Sequence, residues 1–192
     1  MNMLVDVLPR EVEIDALKYP INTDFRVSIL FEELMQDDEI PQNEKLDLAI
    51  KLYYKHKPHD KAKAVDKLLW FYRCGKEIDR KSNKGDEGIT TTNIYSYEHD
   101  DEYIYSAFLE QYSIDLQDIE ELHWWKFKAM FKSLRECKFV EIMGYRSMII
   151  DSKMPKSQQT FYKRMKKLYR LPDNRTEEQR EKAIADSFAS LF

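Results

Sequence analysis

The sequence contains only four glycines among its 192 residues. Loops that cradle phosphates, such as the Walker and dinucleotide-binding patterns, require glycines at fixed spacings, and neither pattern is present. Cysteine is scarcer still, because Cys74 and Cys137 stand alone, without a C-x-x-C pair or a histidine at zinc-site spacing. This scarcity argues against a nucleotide-binding loop, a disulfide framework and a structural zinc site. We expect both cysteines to serve as small apolar residues.

Long apolar runs are also missing. No run approaches the roughly 18 residues that a membrane-spanning helix needs, and the first residues lack the basic-then-apolar pattern of a signal peptide. We therefore expect a cytosolic protein that makes no membrane contact. Apolar residues make up 43% of the chain and charged residues 34%, which is ordinary for a soluble globular protein. A chain of 192 residues can form one good core or two small ones.

The only β signal lies in the first twenty residues. The segments VDVLP and REVEID alternate apolar and polar residues, and KYPI follows a polar turn around Asp15, which predicts a small hairpin or a three-stranded meander. The rest of residues 1–75 reads as three helices. They are expected over about Asp24 to Met35, from Pro41 onward, and over about Asp60 to Cys74 with a stop at Gly75.

Residues 76–94 have no apolar periodicity and many polar groups, so we expect a flexible linker there. Residues 95–192 read as an all-helical half. Its helices are predicted to end near Ser113, to run over Gln117–Leu134, Cys137–Gly144 and Gln158–Arg170, and to begin again at Thr176. The prediction is a mainly α fold with a small N-terminal hairpin or meander, arranged as a compact helical bundle in two halves. The pattern leaves open whether the halves share one continuous core.

The aromatic stretch LHWWKFKAMF, residues 122–131, contains a histidine and two adjacent tryptophans. On a helical wheel His123 and Trp124 fall on the apolar arc, whereas Trp125 lies off it. Trp70 likewise lies off the apolar stripe of its helix. A tryptophan outside the main stripe either packs on a second element of the fold or contacts another chain. Both readings stay open for Trp70 and Trp125.

The sequence contains no strong pattern of catalytic residues. Glu120 and His123 have the E-x-x-H spacing of di-metal carboxylate bundles, but those sites need a second such pair and further carboxylates, which the sequence does not offer. No nucleophile stands in a recognisable setting. We therefore expect no enzymatic activity, no metal and no cofactor, and interpret His123 as a hydrogen-bonded core histidine.

Charge is divided along the chain more sharply than the net value of −4 suggests. Residues 96–125 contain many acids and no Lys or Arg, whereas residues 126–170 are rich in basic residues. On the last helix of that region Phe161, Met165, Leu168 and Tyr169 form an apolar stripe that we expect to be buried, opposite Lys163, Arg164, Lys166 and Lys167. Three interpretations of the basic side stay open: a solvated face, a partner for the acidic block within one chain or between copies, and a nucleic-acid contact. The acidic pI of about 5.7 weighs against nucleic acid.

Long blocks across nearly the whole chain carry a family resemblance. They are EVEIDALKYPINTDFRVSILFEELMQD, LLWFYRCGK, YSYEHDDEYIYSAFLEQYSIDL, LHWWKFKAMFKSL, FVEIMGYRS and YKRMKKLYRLPDNRT. In this order they resemble the gene-product-fifteen family of long-tailed phages and prophages of Gram-positive bacteria. Members of that family lie in the tail gene block, close to the tape measure gene, and are similar to tail assembly chaperones in position and size.

The resemblance implies a non-enzymatic tail assembly chaperone of the host cell cytoplasm. Such a protein would bind the helix-rich tape measure protein and other tail assembly proteins, keep its client soluble, and be absent from the mature virion. A homo-oligomer is a further expectation, and nucleic acid is not an expected partner. The alternatives are a structural tail or tail-completion component retained in the virion and, third, a nucleic-acid-binding regulator. The candidate protein-interaction residues are Trp70, Trp125, Lys163, Arg164, Lys166 and Lys167.

Overall fold

A computed structural model describes residues 1–76 and 94–172 of the chain. It begins with an antiparallel hairpin of β1 (Glu11–Ile14) and β2 (Leu17–Pro20), whose two turn residues both have positive φ angles. Positive φ at both central positions gives a turn whose twist matches that of the strands. Alternate β1 residues point into the core. The predicted hairpin is confirmed, whereas VDVLP does not form a third strand.

The helices of residues 1–76 begin close to the predicted residues, although the first is capped by Asp24 and not by Asn22 or Thr23, which the sequence favours. Asp24 accepts a hydrogen bond from the backbone N–H of Arg26 at 3.0 Å, and Asp60 accepts one from that of Lys63 at 3.0 Å. Such side-chain acceptors satisfy amide groups that have no partner inside the helix. The helices are α1 (Phe25–Gln36), α2 (Gln42–Tyr53) and α3 (Lys61–Tyr72).

All the regular secondary structure of residues 94–172 is helical. Its helices are α4 (Asp101–Tyr112), α5 (Trp124–Lys132), α6 (Lys138–Ser147) and α7 (Lys156–Leu168). Ser113 ends α4 in the left-handed conformation, with φ of 54°. The mainly α class with an N-terminal hairpin is therefore confirmed.

The prediction that one helix runs from Gln117 to Leu134 is wrong at its start, because α5 begins only at Trp124. The preceding chain is held in a non-helical path by the start of α1. The carbonyl of Leu122 accepts from the N–H of Phe25 at 2.9 Å, and the N–H of Trp124 donates to the carbonyl of Thr23 at 2.7 Å. These contacts between distant residues outweigh the helical periodicity of the segment.

One hydrophobic core spans both parts of the chain. The ring of Phe127 on α5 stacks on Phe25 of α1 at 4.7 Å between centroids and on Phe108 of α4 at 4.9 Å. Around this stack α1 packs on α2 and α5, α3 packs on α2 and β1, and α6 packs on α4 and α7. Apart from its end residues, the predicted linker of residues 76–94 lies outside the described residues, as does the helix predicted from Thr176.

Candidate protein-interaction surfaces

His123 caps the first turn of α5 from within the core. Its Nδ1 atom accepts from the N–H of Trp125 at 3.1 Å, while Nε2 lies 3.0 Å from the carbonyl oxygen of Pro9 and must donate to it. One nitrogen accepts and the other donates, which assigns the neutral Nε2–H tautomer. Burial lowers the pKa of His123 in agreement with this assignment. The interpretation as a hydrogen-bonded core histidine is confirmed, and Glu120 does not share a helix with it.

Both adjacent tryptophans are buried, and their indole N–H groups bind the end of α3. Trp124 donates to the carbonyl of Tyr72 at 2.8 Å, and Trp125 donates to that of Phe71 at 2.8 Å. The last carbonyls of a helix have no partner within it, so the two indoles supply what α3 lacks. Trp125 is only 1% exposed, and the prediction that it is a contact residue for another chain is therefore wrong. The other reading, an internal neighbour, holds for this residue.

Trp70 is the neighbour that Trp125 meets on its second side. The two rings contact edge to face at 5.6 Å between centroids. Gly75 lies against the same ring with φ of +72°, and a Cβ atom there would stand 2.9 Å from the Cη2 atom of Trp125. Trp70 itself is half-buried and packs against the core. It remains a candidate interaction residue of limited area.

A cation lies among aromatic rings beside this cluster. The ammonium of Lys128 is 4.8 Å from the ring centroid of Trp124 and 5.8 Å from that of Tyr72. Burial lowers the pKa of Lys128, with the carboxylate of Glu32 opposing this effect. The Tyr72 hydroxyl donates to Glu32, so the partly buried acid is occupied by an internal partner. The Lys128 ammonium and the Glu32 carboxylate are thus both engaged by contacts within the chain.

The basic residues of α7 do not all share one environment. Lys163, Arg164 and Lys167 are exposed, whereas Lys166 is half-buried and donates to the carbonyl of Met148 at 2.8 Å. Lys166 therefore helps to attach α7 to the end of α6. The predicted buried stripe is wrong in part, because Phe161 and Leu168 are 47% and 64% exposed. The reason is that, among the described elements, α6 is the main packing partner of α7, and no residue of α7 is fully buried.

An ion pair fixes α7 and α4 to α6. The Arg146 guanidinium contacts both carboxylate oxygens of Asp100 at 2.6 and 2.8 Å, and it donates to the carbonyls of Ile94 and Tyr169 at 3.1 and 2.6 Å. The Asp100 side chain is 0% exposed and that of Arg146 is 10% exposed. Pairing between the acidic and basic blocks within one chain is thus realised at this buried site. Sequence patterning counted Asp100 as one acid of the acidic block and did not single it out.

The start of the chain exposes apolar side chains that sequence reasoning also missed. The exposed large residues there are Met1, Met3, Leu4, Val5 and Val7. Their alternation with polar residues was the signal read as a strand. Among the described residues no strand pairs with this segment, and its apolar side chains stay exposed.

Features of an enzyme site are sparse in the described residues. A shallow groove between the hairpin and α3 is lined by charged side chains, but Lys63 and Asp15 there pair with each other at 2.5 Å. Residues 1–76 and 94–172 hold no group of three or more His, Cys, Asp or Glu side chains placed to bind a metal ion. Within the same ranges every helix is too short or too polar to cross a membrane.

Comparison with known proteins places most of the chain in one family. The family model described as Bacteriophage Gp15 protein matches residues 4–171. A comparison with curated proteins and one with solved structures each found no match. The matched range contains the hairpin, every helix described above and both tryptophans of α5. The chain therefore belongs to the Bacteriophage Gp15 protein family and is a phage protein.

Proposed function

We propose that this phage protein is a tail assembly chaperone that binds the tape measure protein. It would act in the host cell cytoplasm by binding alone, without catalysis, and would leave the client as the tail tube assembles around it. The support is twofold: the resemblance to proteins encoded beside the tape measure gene, and an uncovered apolar surface on an otherwise well-packed protein.

The apolar N-terminal segment, residues 1–7, is the observation that carries the proposal. A local turn holds it, in which the N–H of Asp6 donates to the carbonyl of Asn2 at 2.8 Å and the N–H of Asn2 donates to the Asp6 carboxylate at 2.7 Å. Leu4 is 94% exposed and Val7 is 91% exposed. Full burial of one such side chain contributes about 1.5–3 kcal/mol of favourable free energy. The fold does not use this contribution, so it is available for binding a partner.

The chemistry of this segment suits a chaperone's client. Apolar contact is non-directional, so it tolerates many registers on an amphipathic helix and does not require one fixed set of hydrogen bonds. A contact of a few side chains is also weak enough to be displaced when the client is taken up by another protein. A long helical client would offer many such apolar stripes, each able to hold one copy.

Co-expression with the tape measure protein of the same phage tests the proposal. We expect the wild-type protein to raise the soluble fraction of the client and to co-purify with it. The double variant Leu4→Gln/Val7→Gln should lose both effects. The matched control, Leu30→Gln/Leu48→Gln, alters two exposed leucines on α1 and α2 and should keep them. A client that is equally insoluble with and without the wild-type protein would refute the chaperone function.

Peptide mapping of purified virions shows whether the protein leaves during tail assembly or is retained in the mature particle. A chaperone that leaves during assembly should be absent from particles while remaining abundant in the lysate. Detection at a stoichiometry comparable to tail proteins would instead identify a structural tail component.

A further inference from the structure

The exposed side of α7 carries an unpaired basic row. Lys156, Lys163 and Lys167 are exposed at helical spacings of seven and four residues, which place them on one face, with Arg164 beside them. None of these side chains has an ion-pair partner within residues 1–76 and 94–172. Within the described residues, no carboxylate of the same chain occupies this row.

Apolar side chains border this row. Phe161 and Leu168, seven residues apart, lie along one edge of the same exposed face. A surface that combines fixed cations with an apolar edge resembles a helix contact more than a solvated face. We define the α7 face as Lys156, Phe161, Lys163, Arg164, Lys167 and Leu168.

The outer side of α4 has the opposite charge and the same apolar component. Glu102, Ser106 and Glu110 are exposed at spacings of four residues, and Leu109 beside them is 44% exposed. No Lys or Arg occurs from residue 96 to residue 125, and neither glutamate forms an ion pair with another described residue. We define the α4 face as Glu102, Ser106, Leu109 and Glu110.

The acidic residues of the α4 face fall within the length of the basic row. With a rise of about 1.5 Å per residue, Glu102 and Glu110 are separated by about 12 Å along α4, and Lys156 and Lys167 by about 16.5 Å along α7. Within one chain α4 and α7 are each attached to α6, and no ion pair joins their outer faces among the described residues. Contact between the faces therefore requires two molecules. A nucleic acid would use the α7 face only, whereas a second copy uses both.

We propose that the α7 face of one copy docks on the α4 face of a second copy. Because the two faces differ, the contact is head to tail and leaves one unused face at each end of the pair. Repetition of the contact therefore builds a ring or an open chain of copies. Self-association of this kind goes beyond client binding and involves none of the residues of the apolar N-terminal segment.

Sedimentation velocity of the purified full chain over a range of concentration and salt tests this proposal. We expect wild-type oligomers at low ionic strength that dissociate as salt screens the charges. Lys163→Glu/Lys167→Glu and Glu102→Lys/Glu110→Lys should each weaken association at least about tenfold, because like charges then face each other. The control Lys126→Glu/Lys132→Glu makes the same charge change on exposed residues of α5 and should associate as the wild type does.

A charge swap keeps the test specific to these two faces. The variant that carries all four substitutions in α4 and α7 exchanges the signs of the faces and should recover association. A monomeric wild-type protein at low salt, or a four-fold variant that stays dissociated while its circular dichroism is unchanged, would overturn the proposal. So would a labelled random-sequence DNA duplex that binds the wild-type protein while the protein stays monomeric.

Discussion

Replacement of Arg146 by methionine is expected to destabilise the protein by about 3–5 kcal/mol, because it leaves a buried carboxylate without its cation. The Asp100 side chain is 0% exposed and Arg146 is 10% exposed, so water cannot take the place of the guanidinium without a change in packing. After the substitution, Asp100 would keep one hydrogen bond, from the N–H of Ser96 at 2.9 Å.

The arginine also holds chain segments that the carboxylate does not reach. Its Nε atom donates to the carbonyl of Tyr169 at 2.6 Å, and a terminal nitrogen donates to that of Ile94 at 3.1 Å. Tyr169 ends α7, and its ring stacks on Tyr145 of α6 at 5.8 Å between centroids. Loss of the arginine should therefore loosen the end of α7 as well as the start of α4.

Urea denaturation and thermal unfolding, both followed by far-UV circular dichroism, measure this effect. For a protein of this size the melting temperature of Arg146→Met should fall by about 6–20 °C. The double variant Asp100→Asn/Arg146→Met removes both charges and should be more stable than Arg146→Met alone. The reasoning would be refuted by a single variant within about 1 kcal/mol of wild type, or by a double variant at least as unstable as the single one.

Three further predictions concern the packing around α5. Gly75→Ala should lower the free energy of unfolding by about 2–4 kcal/mol in urea titrations, because it adds left-handed strain to a clash with Trp125; an unchanged midpoint would contradict the close approach. The folded pKa of His123 lies below its unfolded value of about 6.5, so stability should be undiminished above that pH and decline as pH falls below it. His123→Asn keeps an N-cap acceptor without the titration, and its melting temperature should vary less between pH 7 and pH 5 than that of wild type. Because desolvation dominates at Lys128, Lys128→Met should raise the melting temperature by about 2–4 °C, and a decrease would show that the cation–π contacts dominate.

Local chemistry explains which parts of the fold could be predicted from sequence. The starts of α1 and α3 depend on Asp24 and Asp60, whose side chains bind amides two or three residues away. Such caps act within a few residues, so the sequence predicts the start of a helix to within one or two residues even where, as for α1, a neighbouring residue is the actual cap. Likewise, the end of α3 depends on Gly75 in the left-handed conformation.

Long-range contacts explain where the predictions failed. The start of α5 moved to Trp124 because the chain before it pairs with residues 23–25, which periodicity does not detect. The position of Trp125 off the apolar stripe was correctly noticed, yet only the end of α3 decides that its ring is buried. A sequence shows that a side chain leaves the main stripe but does not show which element receives it.

The same limit applies to the candidate interaction surfaces. The sequence predicted both the apolar stripe and the basic side of α7. It did not predict how many helices pack on the stripe, so Phe161 and Leu168 were wrongly assigned to the core. The apolar N-terminal segment has the alternation of a strand and lacks the partner that would bury it. Amphipathic patterning predicts a face, whereas its coverage depends on the rest of the fold.

Light scattering of the tape measure protein on dilution from denaturant tests the central functional claim most directly. We expect the purified wild-type protein to suppress scattering in proportion to its concentration, whereas Leu4→Gln/Val7→Gln should not. Suppression should persist in Lys163→Glu/Lys167→Glu, because this variant is expected to lose self-association and to keep client binding. Scattering that is the same with wild-type protein as with buffer would contradict the proposed chaperone function.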